Sequence, residues 1–272
     1  FKKIYMTIFI ISLQIFLGLI GFGGLGLIVS NLLGFTLFIV LCINHIKLES
    51  SSQNYSFSIR RSIFLLKKNL GLFIWTMPST LVNSFTRFIP EFMIGRFFGS
   101  PLLGQYYFAN RVLNYPLSLI SSAIDGLFRE KCSNEISKTG ECKDTFEFYI
   151  RILFVIAISF MVPFALISPR LFPTLFGQQW ILAGKLIQAI TVLSIVKFVS
   201  GTLSYVWILR NKQKLDFIWQ IFLFLIVFIT FYTVNTLKPD ISLYHMLIIY
   251  SFVTTTWYTL AIIGSRKFSS GF

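Results

Sequence analysis

Long apolar runs separated by short polar connections make up most of this chain. A helix that spans a bilayer needs about 20 mostly apolar residues, and about eight runs approach that length. They cover residues 4–20, 25–43, 71–95, 102–128, 147–168, 180–209, 215–235 and 242–264. The pattern predicts an all-α fold, a multi-pass transmembrane helical bundle of about eight helices.

One polar segment separates two of these helices from the other six. Residues 44–69 contain a run of serine, glutamine and asparagine and end in basic residues, a composition typical of a linker. We therefore divide the chain into 1–45, a linker at 46–70, and 71–272. The first two helices are joined by Gly21-Phe22-Gly23-Gly24, which suits a tight turn because glycine readily adopts positive φ.

The composition supports a membrane protein and argues against nucleic-acid binding. Hydrophobic residues make up 55% and charged residues 12% of the chain, whereas soluble domains carry roughly 25% charged residues. The net charge of +14 does not indicate a nucleic-acid partner, because the basic residues fall mostly between apolar runs. Cys42, Cys132 and Cys142 lack metal-ligand spacing, so we expect free thiols.

The distribution of basic residues predicts the orientation. Of the 24 lysines and arginines, 17 lie in the ends and connections on one side, against Arg96, Arg170 and Lys238 on the other. By the positive-inside rule, both ends of this chain are cytoplasmic, as is the connection that holds Cys132 and Cys142. The chain starts at Phe1 with no cleavage site after its first apolar run, so we expect a start inside a longer protein.

Charged residues inside the predicted spans mark a candidate site. Each costs about 2.5 to 3.5 kcal/mol at mid-membrane, so it is expected to face protein, water or a ligand. Asn83, Arg87 and Glu91 recur every four residues and share one helix face. Arg87 and Glu91 can form an ion pair within that helix, and Pro90 beside them favours a kink.

Two further polar faces follow in the predicted helices at 102–128 and 180–209. Their members are Arg111, Asn114, Ser118, Ser122 and Asp125 in the first, and Ser194, Lys197, Gly201 and Ser204 in the second. Arg111 and Asp125 are separated by 14 residues, or roughly 21 Å along a helix, so they cannot neutralise each other. Arg111 needs a counter-charge from another helix, water or a ligand, whereas Asp125 is near enough to the cytoplasmic end to be solvated.

The balance of these charges predicts an anion-binding cavity. Within the spans, four cations stand against two carboxylates, so a cavity shared by all six would be positive. The candidate substrate-binding residues are Arg87, Arg111, Lys197, Asn83 and Asn114, and the possible ion-coupling carboxylates are Glu91 and Asp125. A structural role for the Arg87 and Glu91 pair stays open at this point, as does simple solvation of Asp125.

No constellation of residues indicates an enzyme. The outer connections are too short to hold a folded active site, and the cytoplasmic connections lack P-loop and metal-binding spacings. We therefore expect no catalytic residues, no metal and no cofactor. Energy for transport would come from an ion gradient, from consumption of the substrate on the far side, or from a partner.

The stretch from Arg87 to Lys131 resembles the second-lobe signature of the polysaccharide flippases. The similar features are the Pro90 helix, Phe98-Gly99, Leu103-Gly104-Gln105-Tyr106, and Arg111-Val112-Leu113 with Pro116 after it. The glycine-rich segments at 18–34 look like the last two helices of that family's first lobe. Phe176-Gly177 with Trp180 and Ala183 resembles its outer loop and tenth helix.

The resemblance implies a MATE-like transporter of O-antigen type substrates. By that comparison, 1–45 holds the last two helices of a first lobe, 46–70 a cytoplasmic linker and 71–272 a second six-helix lobe, with about four earlier helices lacking. The implied function is flipping of undecaprenyl-pyrophosphate-linked oligosaccharide across the bacterial inner membrane by alternating access. Implied partners are this lipid-linked substrate, membrane lipid and polysaccharide assembly enzymes. Arg111 matches the family's pattern, while Lys197 is inferred from spacing.

Two other functions remain open at this point. An ion-coupled multidrug exporter of the same superfamily would be expected to have a cavity dominated by acids. A membrane-embedded polysaccharide polymerase or ligase would need a sizeable outer loop with catalytic residues, and the longest outer connection here has about ten residues.

Overall fold

The computed structural model describes residues 2–50, 63–64, 70 and 72–271, and these are helical almost throughout. The helices are α1 Lys2–Leu19, α2 Gly23–Ser50, α3 Met77–Phe98, α4 Ser100–Thr139, α5 Lys143–Phe176, α6 Ile181–Leu203, α7 Tyr205–Leu209, α8 Gln213–Leu237 and α9 Leu243–Ser269. One π-helical turn, Leu72–Thr76, precedes α3, and a 3-10 turn, Gln178–Trp180, precedes α6. The described residues contain no strand, and the predicted all-α bundle is confirmed.

The chain divides into two compact units, Phe1–Leu66 and Lys67–Phe272. In the first, α1 and α2 form a helical hairpin whose turn contains Gly21 at φ 88° and Gly23 at φ 52°. These are the positive φ values that the glycine-rich turn predicts. The assignment of this unit to the end of a first lobe stays a prediction.

The second unit is built around α6, which contacts α4, α5 and α9. Helix α3 packs against α8 and α4, and α8 also contacts α9. Large apolar side chains cover the outward faces: Phe85 and Phe92 on α3 and Leu166 on α5 are 64%, 66% and 71% exposed. Lipid rather than water suits such a surface.

Five helical segments among the described residues are long and apolar enough to cross a membrane. They are Gly23–Val40, Lys143–Phe176, Gln178–Leu209, Gln213–Leu237 and Leu243–Ser269. Helices α3 and α4 are equally long but carry the polar faces noted in the sequence. The chain is thus a multi-pass membrane protein.

Several helices are longer than the sequence pattern predicts. Helix α4 has 40 residues, or about 60 Å, which is twice the hydrocarbon thickness of roughly 30 Å. The predicted connection at 129–146 is therefore mostly helical, because its lysine, arginine and glutamate residues are good helix formers. The helix ends at Gly140, which adopts φ 81°. Helix α2 likewise runs to Ser50, whereas most of the predicted linker at 46–70 lies outside the described residues.

The prediction of free thiols is wrong for two of the three cysteines. Cys132 and Cys142 form a disulfide, and their Cα atoms are 5.2 Å apart. The chain reverses at Gly140 and brings the start of α5 back beside the end of α4. Disulfides are rare in the cytoplasm, so this pair favours a non-cytoplasmic position for the connection between α4 and α5. The count of basic residues favours a cytoplasmic position for the same connection. The side of the membrane therefore stays a prediction.

The motif residues around Gln105 hold one corner of the second unit together. The Gln105 side chain accepts a hydrogen bond from the Ala183 backbone N–H at 3.0 Å. It also donates one to the Gln179 carbonyl at 2.7 Å. Nearby, the Phe108 ring contacts Trp180, with 4.5 Å between ring centroids. The start of α4 is thus attached to the start of α6.

Candidate functional site

A cavity of about 560 Å³, which we call the polar cavity, lies among α3, α4, α6 and α9. Its volume falls in the usual range of small-molecule sites. Its polar lining consists of Ser84, Arg87, Glu91, Tyr106, Asn110, Asn114, Ser118, Ser121, Ser194, Lys197 and Tyr250. These hydroxyl, amide and charged groups come from helices far apart in sequence.

Four of the residues selected from the sequence line this cavity. They are Arg87 and Glu91 on α3, Asn114 on α4 and Lys197 on α6. The face predicted for α6 also reaches it, through Ser194 and Gly201. Asn83, Arg111 and Asp125 do not belong to its lining.

The cavity-facing side of α4 overlaps the predicted face only in part. It runs through Tyr106, Asn110, Asn114, Ser118 and Ser121, so Asn114 and Ser118 of the predicted face line the cavity, whereas Arg111, Ser122 and Asp125 do not. Arg111 follows Asn110 directly, which places it about 100° further around the helix, and its side chain is exposed. Asn110 was missed, although an asparagine four residues before Asn114 is a usable signal. The Asn114 amide donates to Asn110 Oδ1 at 2.8 Å.

Asp125 lies near the cytoplasmic end predicted for α4 and is half-buried. The Ser121 hydroxyl contacts both of its carboxylate oxygens at 3.5 Å and the Thr202 hydroxyl at 3.4 Å. Among the described residues, Ser121 is the member of the cavity lining that contacts Asp125. Its role in ion coupling stays a prediction.

Arg87 does not form the ion pair with Glu91 that the sequence suggests. Its Nε instead donates to Asn83 Oδ1 at 3.1 Å, because side chains on a helix point toward the preceding turn. The Asn83 amide in turn donates to Gln220 Oε1 on α8 at 3.0 Å. One turn earlier, the Ser79 hydroxyl donates to Asp216 of α8. A polar seam between α3 and α8 thus positions Arg87.

The remaining charges of the polar cavity are uncompensated. The lining holds two cations, Arg87 and Lys197, and one carboxylate, Glu91. Within the described part of the chain, Lys197 and Glu91 form no hydrogen bond or ion pair. Charges in a low-dielectric interior are costly unless they meet a counter-charge or water. The arrangement can bind an anion, while its amides and hydroxyls can hydrogen-bond a polyhydroxylated neighbour.

The polar seam can be tested with a double-mutant cycle. We expect Asn83→Ala and Gln220→Ala to show a coupling free energy of about 0.6 kcal/mol, typical of a hydrogen bond between membrane helices. The measurement is the free energy of unfolding of the purified protein in detergent. As a control, Asn83→Ala with Gln188→Ala should show no coupling, because the Gln188 amide donates elsewhere, to the Ala165 carbonyl. Equal coupling in both cycles would contradict the seam.

The chain is similar in sequence to proteins of polysaccharide biosynthesis. Residues 1–185 match the protein family described as polysaccharide biosynthesis protein. The teichuronic acid biosynthesis protein TuaB of Bacillus subtilis (strain 168) is 21% identical over 149 residues, which cover 53% of this chain and 30% of TuaB. The chain thus spans less than a third of that relative's length. No solved structure matches the chain.

Proposed function

This chain belongs to the family of polysaccharide biosynthesis proteins, and on that premise we propose that it translocates a lipid-linked oligosaccharide across the membrane. The proposed substrate is undecaprenyl-pyrophosphate-linked, and the proposed membrane is the bacterial inner membrane. The chain would bind and move this substrate without altering its covalent bonds, so we do not propose an enzyme.

The observation that carries the proposal is the excess of unpaired cations in the polar cavity. Among the described residues, the charged groups that line it are the cations Arg87 and Lys197 and the carboxylate Glu91. A pyrophosphate that enters the bilayer needs compensating positive charge and hydrogen-bond donors. The asparagines and serines of α4 and α6 are suited to the hydroxyls of the first sugar. A cavity of about 560 Å³ would hold this head group, with the rest of the glycan outside it.

The proposed mechanism is alternating access between two lobes. Residues 71–272 would form the second six-helix lobe, and 1–45 the last two helices of the first, joined by a cytoplasmic linker at 46–70. Both ends of the chain would then lie in the cytoplasm, in accord with the distribution of basic residues.

Arg87 and Arg111 provide a test of which side of α4 faces the substrate. In a flippase-deficient strain that expresses the whole protein, we expect Arg87→Ala to lower surface polysaccharide roughly tenfold or more, as for the loss of a charge-assisted hydrogen bond. Arg111→Ala should lower it less, because Arg111 is exposed outside the polar cavity. Arg96→Ala, near the end of α3, serves as the control.

Two outcomes would alter the proposal. Undiminished polysaccharide with Arg87→Ala, at equal expression, would contradict a cavity role for this cation. A larger loss with Arg111→Ala than with Arg87→Ala would favour a substrate path along the exposed face of α4, where the sequence resemblance places its functional arginine.

The position of Glu91 favours the alternative function, an ion-coupled multidrug exporter. Its carboxylate lines the polar cavity and could attract a cationic drug. Under that alternative, Glu91→Gln should raise drug susceptibility while leaving surface polysaccharide unchanged. Under the proposed function, drug susceptibility should not respond. A membrane-embedded polymerase or ligase would instead be indicated by glycosidic bond formation with the purified protein.

A further inference from the structure

A smaller chamber lies behind the polar cavity, on the side of α8 and α9. Arg87, Lys197 and Tyr250 line both spaces, whereas Thr254 and Tyr258 line only the chamber. Its volume is about 10 Å³, and a space of about 10 to 15 Å³ holds one water molecule. The chamber alone therefore holds about one water molecule, and a larger occupant would extend into the adjoining polar cavity, which shares Arg87, Lys197 and Tyr250 with it.

The chamber carries positive charge without a counter-charge. Among the residues that the structure describes, its lining includes Arg87 and Lys197 but no carboxylate, and the two like charges repel each other. Asn83 accepts a hydrogen bond from Arg87 Nε, which satisfies that donor but leaves the charge in place. A neutral water molecule would likewise hydrogen-bond without compensating the charge.

The Thr254 hydroxyl provides an independent indication of a ligand. Thr254 is 2% exposed, and its hydroxyl has no hydrogen-bond partner among the residues that the structure describes. Thr256 and Thr259 of α9 bond the carbonyl four residues earlier, whereas Ser251, Thr255 and the Trp257 indole on the same helix also lack partners among the described residues; of these four groups, only Thr254 lines the chamber. A buried polar group without a partner requires an explanation such as a bound water or ion. Two cations beside it favour an anion.

We propose that one monovalent inorganic anion of halide size, such as chloride, binds where this chamber adjoins the polar cavity. Arg87 and Lys197 would supply the compensating charge, and the Thr254 hydroxyl a hydrogen bond. The anion would serve as a counter-ion for the two cations while the polar cavity is empty. This inference does not depend on which substrate the protein moves.

The experiment follows thermal unfolding of the purified protein, without any lipid-linked substrate, as sodium gluconate is replaced by sodium chloride or bromide at constant ionic strength. We expect a saturable rise in the unfolding temperature with either halide. Thr254→Val keeps the shape of the side chain but removes the hydroxyl, and should weaken halide binding about tenfold. Lys197→Gln should abolish the response. Thr256→Val, exposed on the same helix, should leave it unchanged.

The proposal is overturned if the unaltered protein shows no halide response, or if the response survives unchanged in both Thr254→Val and Lys197→Gln. Crystals grown in bromide give a second measurement, in which an anomalous peak beside Arg87, Lys197 and Thr254 supports the proposal and peaks only elsewhere overturn it. Because no substrate is present, failure here leaves the transport proposal intact. Loss of transport with normal halide binding would count only against the proposed function.

Discussion

Replacing Lys197 with glutamate should reduce surface polysaccharide by more than about a hundredfold in a flippase-deficient strain. The substitution changes the charge of the polar cavity by two units, so that the introduced carboxylate and Glu91 face it together with only Arg87 in opposition. In a low-dielectric cavity, an anionic head group then meets repulsion in place of attraction, and each 1.4 kcal/mol of lost affinity corresponds to about a tenfold effect. Polysaccharide at the cell surface is measured at equal protein expression.

The control for this prediction lies on the same helix. Lys185 is exposed near the start of α6 and does not line the polar cavity, so Lys185→Glu should retain export close to the unaltered level. Lys197→Arg, which keeps the charge, should retain part of it. Equal losses with Lys185→Glu and Lys197→Glu would show that any acidic substitution in α6 impairs the protein, and would refute a specific role for Lys197.

Replacing Gly184 with alanine should destabilise the second unit by about 1 to 3 kcal/mol, the usual cost of overpacking. A Cβ atom at this position would lie 2.5 Å from the Ser168 carbonyl oxygen and 3.0 Å from Pro169 Cα. Both are backbone atoms of α5, which cannot rotate away as a side chain can. The Ser168 hydroxyl also donates to the Gly184 carbonyl at 2.8 Å. Unfolding in detergent measures the change.

Gly201 on the same helix is the matched control for Gly184. Nothing lies within 4 Å of a Cβ atom built at Gly201, so Gly201→Ala should be neutral or stabilising by up to about 1 kcal/mol through helix propensity. If both alanine substitutions destabilise equally, the close approach of α5 and α6 is not the cause.

The sequence selected Arg87, Glu91 and Lys197 as polar residues inside the spans, but the face that it predicted for α4 is only partly correct, because Asn114 and Ser118 line the polar cavity and Arg111 does not. Helical spacing alone locates Arg87, Glu91 and Lys197, because residues three or four apart lie on one side of a helix. On α4, both Asn110 and Arg111 are polar, so spacing supports two neighbouring faces. The choice between them depends on how α4 is rotated against α6, which is a property of packing.

The partners of individual side chains also depend on tertiary packing. The i, i+4 spacing of Arg87 and Glu91 permits an ion pair, yet the guanidinium bonds Asn83, which is held from α8 by Gln220. Likewise, Cys132 and Cys142 show no metal spacing, and only the reversal of the chain at Gly140 brings them together. Each outcome depends on a neighbour that is distant in sequence or on the path of a turn.

The sequence by itself determined that this chain is an all-α, multi-pass membrane protein and which cations need compensation, because apolar run length and the cost of buried charge are local properties. Only the tertiary structure decided that Arg87 and Lys197 converge on one cavity and one chamber while Arg111 stays outside. It also decided that Thr254 lines that chamber without a hydrogen-bond partner among the described residues. These relations depend on the rotation and separation of packed helices, which apolar periodicity alone does not specify.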